Sequence, residues 1–389
     1  MGKIGMRLFF YILYIITVIF LIYRAQSKQY SNKTKKSLYL LIAYILYIVV
    51  AVTRNIEGHY INGEFIAVGG IDAISYRNNF YLANTSLVNY INLVHGEIGF
   101  NTFMWVCYHL FGEFEFFLFI IHTIAFVLFW KYVKRGLQFK SFLYLLLVGS
   151  SLFTIFNTIR NDLAILLILH VISNLKQNQI CKALIINLIA LSIHSSSFVI
   201  LIIIVVYFLY KNWDIKKYTK YSESVVKIIF SFFILVILYI IFSYLLPILF
   251  SSTEYNVYLS ETIVSVSIYI FLIFLLFITY KYYHDISNKI EHHIIFIYLI
   301  IIGILNYFIQ GRMYIAYRFI LIILPFVYEY MFALKKYVFI QIDRSKLQHF
   351  WYKKRIINIR YIIRIILYLF IYYKIYDFFF VQLQVGGIV

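Results

Sequence analysis

The sequence has little charge, little proline and little cysteine, and each shortage excludes a class of protein. Only 13% of its 389 residues are Asp, Glu, Lys or Arg, whereas 63% are hydrophobic, a balance far from that of a soluble globular domain. Two prolines and 15 glycines leave little material for flexible linkers. The two cysteines, Cys107 and Cys181, are too few for a disulfide framework and lack metal-ligand spacing, so we interpret both as small apolar residues.

Long runs of Ile, Leu, Phe and Tyr are what the sequence has in place of charge. They recur at about 20 residues, the length at which an α-helix crosses a bilayer. Runs such as IIFSFFILVILYIIFSYLLPILF lack the alternation of transmembrane β-barrel strands, and helices satisfy their own backbone in lipid. The composition therefore predicts an all-α, polytopic integral membrane protein with residues 1–389 in a single domain. The first run, 8–23, has no small-residue cleavage site after it, which favours a retained helix over a signal peptide.

The apolar runs predict about twelve transmembrane helices, and the loops between them predict their orientation. The loop 24–36 carries five Lys or Arg and no acid, so the positive-inside rule places it in the cytoplasm. Alternate crossings then leave the acid-richer residues 54–113 as one long extracytoplasmic segment after the second helix. Residues 182–210 hold either two helices or a re-entrant pair. The predicted helices are 6–23, 38–53, 114–131, 142–156, 158–175, 182–194, 196–210, 227–250, 262–282, 293–309, 313–334 and 357–380.

The net charge of +19 has the same explanation as the loop pattern. A bilayer protein uses Lys and Arg to fix its orientation, and the basic residues here concentrate in the predicted cytoplasmic loops. We therefore expect the excess positive charge to interact with membrane lipids and not with nucleic acid.

Ionisable residues that interrupt the helices fall, in this topology, at their outer ends. Such residues are costly in a membrane and usually face a cavity or a partner. In FNTIRNDLAILLI, Arg160 and Asp162 are two positions apart and cannot form an i,i+4 pair. Arg160 fits either a side chain that snorkels to headgroups or, as we favour, an anion ligand. Asp162 fits a helix cap as well as a catalytic carboxylate.

Two later stretches add further candidates. Arg312 follows a glycine at a tight turn, and Arg318 comes six residues later, where it is able to snorkel. Tyr317 lies between them and fits an interfacial aromatic belt as well as a site. His194, in LSIHSSSFVIL, has no nucleophile-elbow motif beside it, so it is either satisfied by neighbouring hydroxyls or serves as an acid/base group. Arginines converging on one face would make an anion site.

Five motifs taken together resemble the EpsG-like, Wzy-type family of bacterial polysaccharide polymerases. They cover residues from about 40 to 330 in the family's order, with asparagine and aspartate at 161 and 162 where the family often has Gln-Gly. The motifs are VGGIDAISYRNNF, GEIGFNTFMWVCYHLFG, IRNDLAILLILHVIS, IHSSSFVILI and GRMYIAYRFILIILP. Residue by residue, the family's patterns fall on Gly70, Asp72 and Tyr76; Glu97, Gly99 and Phe100; Arg160, Leu163 and Ala164; His194 and Ser196; and Arg312 and Tyr317.

This resemblance implies a membrane glycosyltransferase that joins oligosaccharide repeat units on the outer face of the bacterial cytoplasmic membrane. The donor would be the growing chain on undecaprenyl diphosphate, and the acceptor a new lipid-linked repeat unit. Arg160 and Arg312, with Arg318 as a lesser candidate, would hold the diphosphate, because the guanidinium fork bonds phosphate oxygens. Asp72, Glu97 or His194 would be the general base. Tyrosines such as Tyr76 and Tyr317 would contact sugar.

The product would be a capsule, an exopolysaccharide or an O-antigen, made together with a flippase and a chain-length regulator. Because the sequence has neither an EF-hand nor a DxD-like motif, we expect transfer without a metal or another cofactor. A transporter of lipid-linked oligosaccharides is the main alternative, but it would favour related halves and charges deep in the spans. A membrane acyltransferase would need its histidine on the cytoplasmic side, and a scaffold or sensor would leave the arginines unexplained.

Overall fold

The computed structural model describes most of the chain, in two compact units. The described residues are 3–26, 33–61, 64–94, 96–135, 142–212, 266–281, 293–310, 314–340 and 368–382, with a few further positions between 233 and 240 and at 365–366. The first unit comprises Met1–His170, Ile189–Ser195 and Ile371–Val389, and the second comprises Val171–Leu188 and Ser196–Phe370.

The first unit is built mainly from long apolar helices. Its α-helices are α1 (Lys3–Gln26), α2 (Lys33–Thr53), α3 (Ile71–Tyr81), α4 (Leu87–Leu93), α5 (Ile98–Phe111), α6 (Phe114–Arg135), α7 (Phe142–Val148), α8 (Ser150–Thr154) and most of α9 (Ile159–Lys176). The end of α10 (Ile180–Ile193) also belongs to it. A 3₁₀ turn, Leu82–Asn84, links α3 to α4, and a π-helical turn, Asp377–Gln382, lies near the C-terminus.

The second unit is helical in all its described elements. It contains α11 (Phe198–Asn212), α12 (Val266–Lys281), α13 (His293–Gln310) and α14 (Tyr314–Ile340), together with the 3₁₀ turn Ser195–Ser197 shared across the boundary. Nζ of Lys176 pairs with Oε1 of Glu329 at 2.5 Å, and the hydroxyls of Thr279 and Tyr330 are 2.9 Å apart. These four polar side chains are thus paired between apolar helices, as burial favours.

Four described helices are long and apolar enough to cross a membrane. They are Arg7–Gln26, Lys33–Thr53, Phe114–Lys134 and Ser195–Asn212, and five shorter apolar helices accompany them. Their exposed side chains are largely Ile, Leu, Val and Phe, which suits a lipid environment and not water. The protein is therefore an all-α membrane protein, as the composition predicts. The predicted total of twelve spans is not confirmed by the described part of the chain, and most of the predicted helix 227–250 lies outside the described residues.

Hydrogen bonds at the two ends of α1, α2 and α6 show which helix ends lie together. Nε2 of Gln26, at the end of α1, donates to the carbonyl of Val133 near the end of α6 at 2.6 Å. At the opposite end of these helices, Arg54 follows α2 and bonds the carbonyl of Phe156, just before α9. The C-terminal ends of α1 and α6 therefore lie at the opposite end of these helices from Arg54.

Residues 54–113 are folded, and they contain an element that the sequence analysis did not predict. Strands β1 (Glu57–Ile61) and β2 (Glu64–Val68) pair antiparallel, with Glu57 opposite Val68 and Ile61 opposite Glu64. The two residues between the strands are Asn-Gly, the pair that two-residue hairpin turns favour. The predicted all-α fold class therefore needs this hairpin added.

Candidate functional site

One buried carboxylate joins three distant parts of the first unit. Glu97 is the residue before α5, and its side chain is 7% exposed. Its Oε2 accepts a hydrogen bond of 2.7 Å from Nη1 of Arg160, and its Oε1 accepts one of 2.9 Å from Nδ1 of His194. The backbone N–H and the hydroxyl of Ser195 also donate to Oε1, at 3.1 and 3.3 Å. We call these four residues, with Tyr76, the Glu97 cluster.

Arg160 is a partly exposed member of the cluster, whereas His194 is buried. The side chain of Arg160 is 23% exposed while that of Glu97 below it is nearly covered. Nε donates to the hydroxyl of Tyr76 at 3.3 Å, and the guanidinium carbon lies 5.5 Å from the centre of that ring and 6.0 Å from that of Phe100. Arg160 stands in the first turn of α9, where the helix dipole disfavours a cation. Helix stability alone would not select arginine there, which supports an anion-binding role.

The charges around Glu97 keep it ionised. Burial by itself would raise the pKa of the Glu97 carboxyl, but the hydrogen bond from His194 and the charge of Arg160 outweigh it and hold that pKa well below its usual range. In the unfolded chain the pKa of a glutamate is about 4.3, and folding lowers the pKa of Glu97 below that value. The ion pairs of Glu97 therefore stabilise the fold at pH values above about 4.3, and this stabilisation is lost as the pH falls through the lower pKa of the folded state. A carboxylate with so low a pKa is a weak base at neutral pH.

The acceptor role of Glu97 also settles how the imidazole of His194 is oriented. An ionised carboxylate accepts hydrogen bonds only, so Nδ1 of His194 is the donor in their 2.9 Å contact. In the neutral ring the second nitrogen, Nε2, is then the basic one. The same relation of carboxylate, imidazole and basic nitrogen operates in catalytic triads. Of the three acid/base candidates from the sequence, His194 is thus the one whose ring is held by a carboxylate, and Glu97 is the partner that orients it.

A side chain at Gly96 would displace Arg160, and Gly112 provides a control glycine that lies away from it. Gly96 has φ +140°, and a Cβ there would lie 2.7 Å from Nη1 of Arg160, whereas Gly112, with φ +75°, has no atom within 4 Å of its Cβ position. Both substitutions to alanine strain the backbone, but only Gly96→Ala displaces the guanidinium. We expect Gly96→Ala to lower activity about 10- to 100-fold, because small displacements of a binding group are costly.

The matched control for that prediction is Gly112→Ala, measured as activity per amount of folded protein in the membrane. It should stay within about twofold of the wild type, since its strain is not transmitted to a binding group. Equal losses in the two variants would contradict a specific effect on Arg160.

Asp72 lies near the cluster without joining its hydrogen bonds to Glu97. It stands in the first turn of α3, where its backbone N–H donates to Oδ1 of Asn157 at 2.9 Å. Burial raises the pKa of Tyr76; Arg160 opposes that rise, and the charge of Asp72 adds to it. The hydroxyl of Tyr76 therefore remains protonated at neutral pH. Asp72 thus adds negative charge near Tyr76, and its role as a base stays a prediction.

Asp162 has a structural partner. Its carboxylate accepts a hydrogen bond from the hydroxyl of Thr158, the residue that precedes α9. The backbone N–H of Asp162 bonds the carbonyl of the same residue at 3.0 Å. Asp162 thus closes the first turn of the helix through a side chain, and this contact takes the place of the backbone cap predicted for it.

The sequence analysis missed a buried arginine that organises the approach to α9. Arg54 donates to the carbonyl oxygens of Phe156 at 2.9 Å, Gly69 at 3.4 Å and Ala51. Burial lowers its pKa to about 10, so it remains charged at neutral pH. Arg54 therefore joins the end of α2, the exit of the hairpin and the turn before Arg160. Its position directly after the second predicted span was the available signal.

Ser195 was also missed, because the resemblance pointed to its neighbour. Ser195 donates to Glu97 through both its backbone and its hydroxyl, whereas Ser196 is buried. Adjacent positions in a 3₁₀ turn point in different directions, and sequence alone does not choose between them.

The remaining predicted residues lie at or beyond the limits of the described chain. Arg312 falls outside the described residues. Tyr317 and Arg318 belong to α14, but their side chains fall outside what the structure describes. Among the described residues, no group of three or more His, Cys, Asp or Glu is placed to hold a metal ion.

Comparison with known proteins gives one match. A family model described as EpsG family matches residues 60–385, which is most of the chain and includes every member of the Glu97 cluster. Neither the curated proteins nor the solved structures give a match to the chain.

Proposed function

Since this chain belongs to the EpsG family, we propose that it is a membrane glycosyltransferase that joins lipid-linked oligosaccharide repeat units into a surface polysaccharide. The observation that carries the proposal is the Glu97 cluster. It combines an accessible arginine with a histidine whose orientation is set by a buried carboxylate. These are the two functions that glycosyl transfer from a lipid diphosphate requires: an anion ligand for the leaving group and a base for the acceptor.

Arg160 acts on the leaving group. As the bond between the anomeric carbon of the donor sugar and the diphosphate oxygen breaks, negative charge grows on that oxygen. A guanidinium positioned beforehand stabilises this charge more in the transition state than in the bound substrate. Tyr76 and Phe100 hold the guanidinium from one side, at 5.5 and 6.0 Å from their ring centres, and so limit its movement.

His194 acts on the acceptor. Nε2 takes the proton of the acceptor hydroxyl while that oxygen forms a bond to the anomeric carbon, and the electron pair of the broken bond leaves on the lipid diphosphate. The resulting imidazolium is stabilised by the Glu97 carboxylate through the 2.9 Å hydrogen bond. The proton later passes to solvent or to the diphosphate. Glu97 is a positioning residue in this scheme, and it orients Arg160 and His194 together.

The finer part of the proposal names the substrates and the place of reaction. The donor is the growing chain on undecaprenyl diphosphate, and the acceptor is the non-reducing end of a new lipid-linked repeat unit. The protein lies in the cytoplasmic membrane of a bacterium with the Glu97 cluster on the outer side, which the basic loops at the other end of α1 and α6 support. The product is a capsule, an exopolysaccharide or an O-antigen, and a flippase and a chain-length regulator are the expected partners. Arg312, Arg318 and Tyr317 remain proposed contributors to substrate binding.

The direct test supplies purified protein in lipid with lipid-linked repeat units, without added metal. We expect a ladder of products that differ by one repeat unit, seen on a gel, because each transfer extends the chain by one unit. Unchanged substrate, together with its movement across the bilayer of a sealed vesicle, would overturn the proposal in favour of a transporter.

A further inference from the structure

The segment from α4 to α5 has almost no charge, although the predicted topology places it outside the membrane. Residues 78–112 contain a single Asp, Glu, Lys or Arg, and that residue is Glu97, which is buried in its ion pairs. In soluble domains about a quarter of the residues are charged. The surface of this segment therefore lacks the residues that normally cover a protein in water.

Large apolar side chains cover the segment instead. Val88 of α4 is 68% exposed, Ile98 at the start of α5 is 65% exposed and Leu110 near its end is 67% exposed. Exposed apolar side chains in this number indicate an interaction surface. On α5, Val106 and Leu110 share one side of the helix. The adjoining side, about 100° away around the axis, carries Ile98, Trp105 and His109.

Helix α5 lies across the end of α6 and does not run beside it. If the two helices formed a hairpin about Gly112, Phe100 would lie near Ala125. Instead Phe100 and Phe103 both contact Phe117, one turn into α6, with ring centres 6.1 and 5.9 Å away. With 14 residues, α5 is about 21 Å long, less than the roughly 30 Å of a hydrocarbon core. The helix is therefore placed across the top of a span.

The apolar surface of α5 continues onto a surface that faces lipid. The rings of Phe111, at the end of α5, and Phe116, in the first turn of α6, stack with centres 5.6 Å apart, and both are exposed. Phe116 belongs to the candidate span Phe114–Lys134, whose exposed face is in contact with acyl chains when it crosses the membrane. The adjoining side of α5 carries Trp105 and His109, whose rings lie 4.0 Å apart, and each ring has a polar nitrogen that suits contact with water.

From this continuity we propose that α4 and α5 form a membrane-binding surface, with α5 lying in the plane of the bilayer at the boundary between headgroups and acyl chains. The occupant of the exposed apolar face is the phospholipid of the membrane that the spans cross. This inference rests on the membrane location and not on the proposed chemistry. If the proposed function also holds, Glu97, one residue before α5, sits at the depth where the phosphates of a lipid-linked substrate lie.

The test measures depth at two adjacent positions of α5 in the full-length protein. All variants carry Cys181→Ser, because Cys181 is exposed and would react with the label. Cys107 is buried and is left unchanged. Leu110→Cys and His109→Cys are labelled separately with an environment-sensitive fluorophore in nanodiscs of phosphatidylcholine and phosphatidylglycerol. The quenchers are a lipid with a nitroxide near its headgroup, a lipid with a nitroxide near its chain end, and iodide in the water.

We expect the shallow lipid nitroxide to quench the label at 110 about twofold more than the label at 109, and iodide to show the reverse order. The reason is that an interfacial helix buries its apolar face about 5–10 Å below the headgroups while its other face meets water. The deep nitroxide should quench both labels less than the shallow one. Val88→Cys and Asn89→Cys on α4 repeat the comparison if a variant of α5 fails to fold.

Equal iodide quenching at 110 and 109 would overturn the proposal, because it would place the apolar face in water. Protection of the label at 110 from all three quenchers would overturn it as well, since protein would then cover that face. Neither result depends on activity. Quenching by lipid together with an absent product ladder would leave the membrane surface standing and the proposed function alone in error.

Discussion

Replacing Arg160 with alanine is expected to abolish polymer while the protein still reaches the membrane. The loss should be about 10²- to 10³-fold or more, because removal of a donor aimed at developing negative charge typically has that effect. Arg160→Lys should recover little activity, since an ammonium cannot hold Glu97, Tyr76 and a phosphate oxygen in one plane as the guanidinium fork does. The measurement is the product ladder, normalised to the amount of tagged protein in the membrane.

Two controls separate this role from the ion pair itself. Arg77→Ala removes an arginine of α3 that donates to the carbonyl of Ile56 at 2.8 Å and does not belong to the Glu97 cluster. It should leave most activity intact. The double variant Arg160→Gln with Glu97→Gln removes both charges of the pair and should remain inactive. Wild-type chain lengths in Arg160→Ala, or recovered activity in the double variant, would show that Arg160 only neutralises Glu97.

Replacing His194 with glutamine is expected to lower the rate of transfer about 10²- to 10⁴-fold, the usual contribution of a general base. Substrate binding should change less than the rate, because His194 acts on the acceptor proton and the diphosphate is held by Arg160. The exposed His109 provides the matched control, and His109→Gln should stay close to the wild type. The check is a comparison of single-turnover rate with substrate affinity for each variant.

The pH dependence distinguishes His194 from Glu97 as the base. Glu97 has a pKa held far below neutral, so as a base it would give a rate that is constant between about pH 5 and 8. A histidine base gives a rate that falls as pH decreases across that range, because the imidazole becomes protonated. In Glu97→Gln the fall should move to lower pH, since the imidazolium loses the carboxylate that stabilises it. A flat profile in the wild type would overturn the assignment to His194.

The sequence carried much of this site because its residues are unusual where they stand. Arg160 was recognisable as an ionisable residue at the start of an apolar helix, and Glu97 and His194 from motifs in a family's order. What linear order did not supply was the role of each. Asp72, Glu97 and His194 were equivalent candidate bases in the sequence. The hydrogen bonds in the structure make Glu97 the partner of Arg160 and His194. Arg54 escaped notice because its partners are backbone carbonyls, which have no sequence signature.

The residues 54–113 illustrate the same limit in the fold. Alternation of apolar runs and basic loops marked this stretch as outside the spans, but its hairpin and the course of α5 depend on contacts such as those of Phe100 and Phe103 with Phe117. Many of its apolar residues are exposed, and a hydrophobic pattern does not say whether exposure is to lipid or to a packed partner.

By itself the sequence determined that the protein is a helical membrane protein, roughly where its helices lie and which charged residues are out of place, because hydropathy and the cost of charge in lipid act on each segment separately. Only the tertiary structure decided that Glu97, Arg160 and His194 form one cluster and that α5 lies across the end of α6. Those outcomes depend on pairs of residues far apart in the chain, and the energy of such a pair exists only once folding has brought its members together.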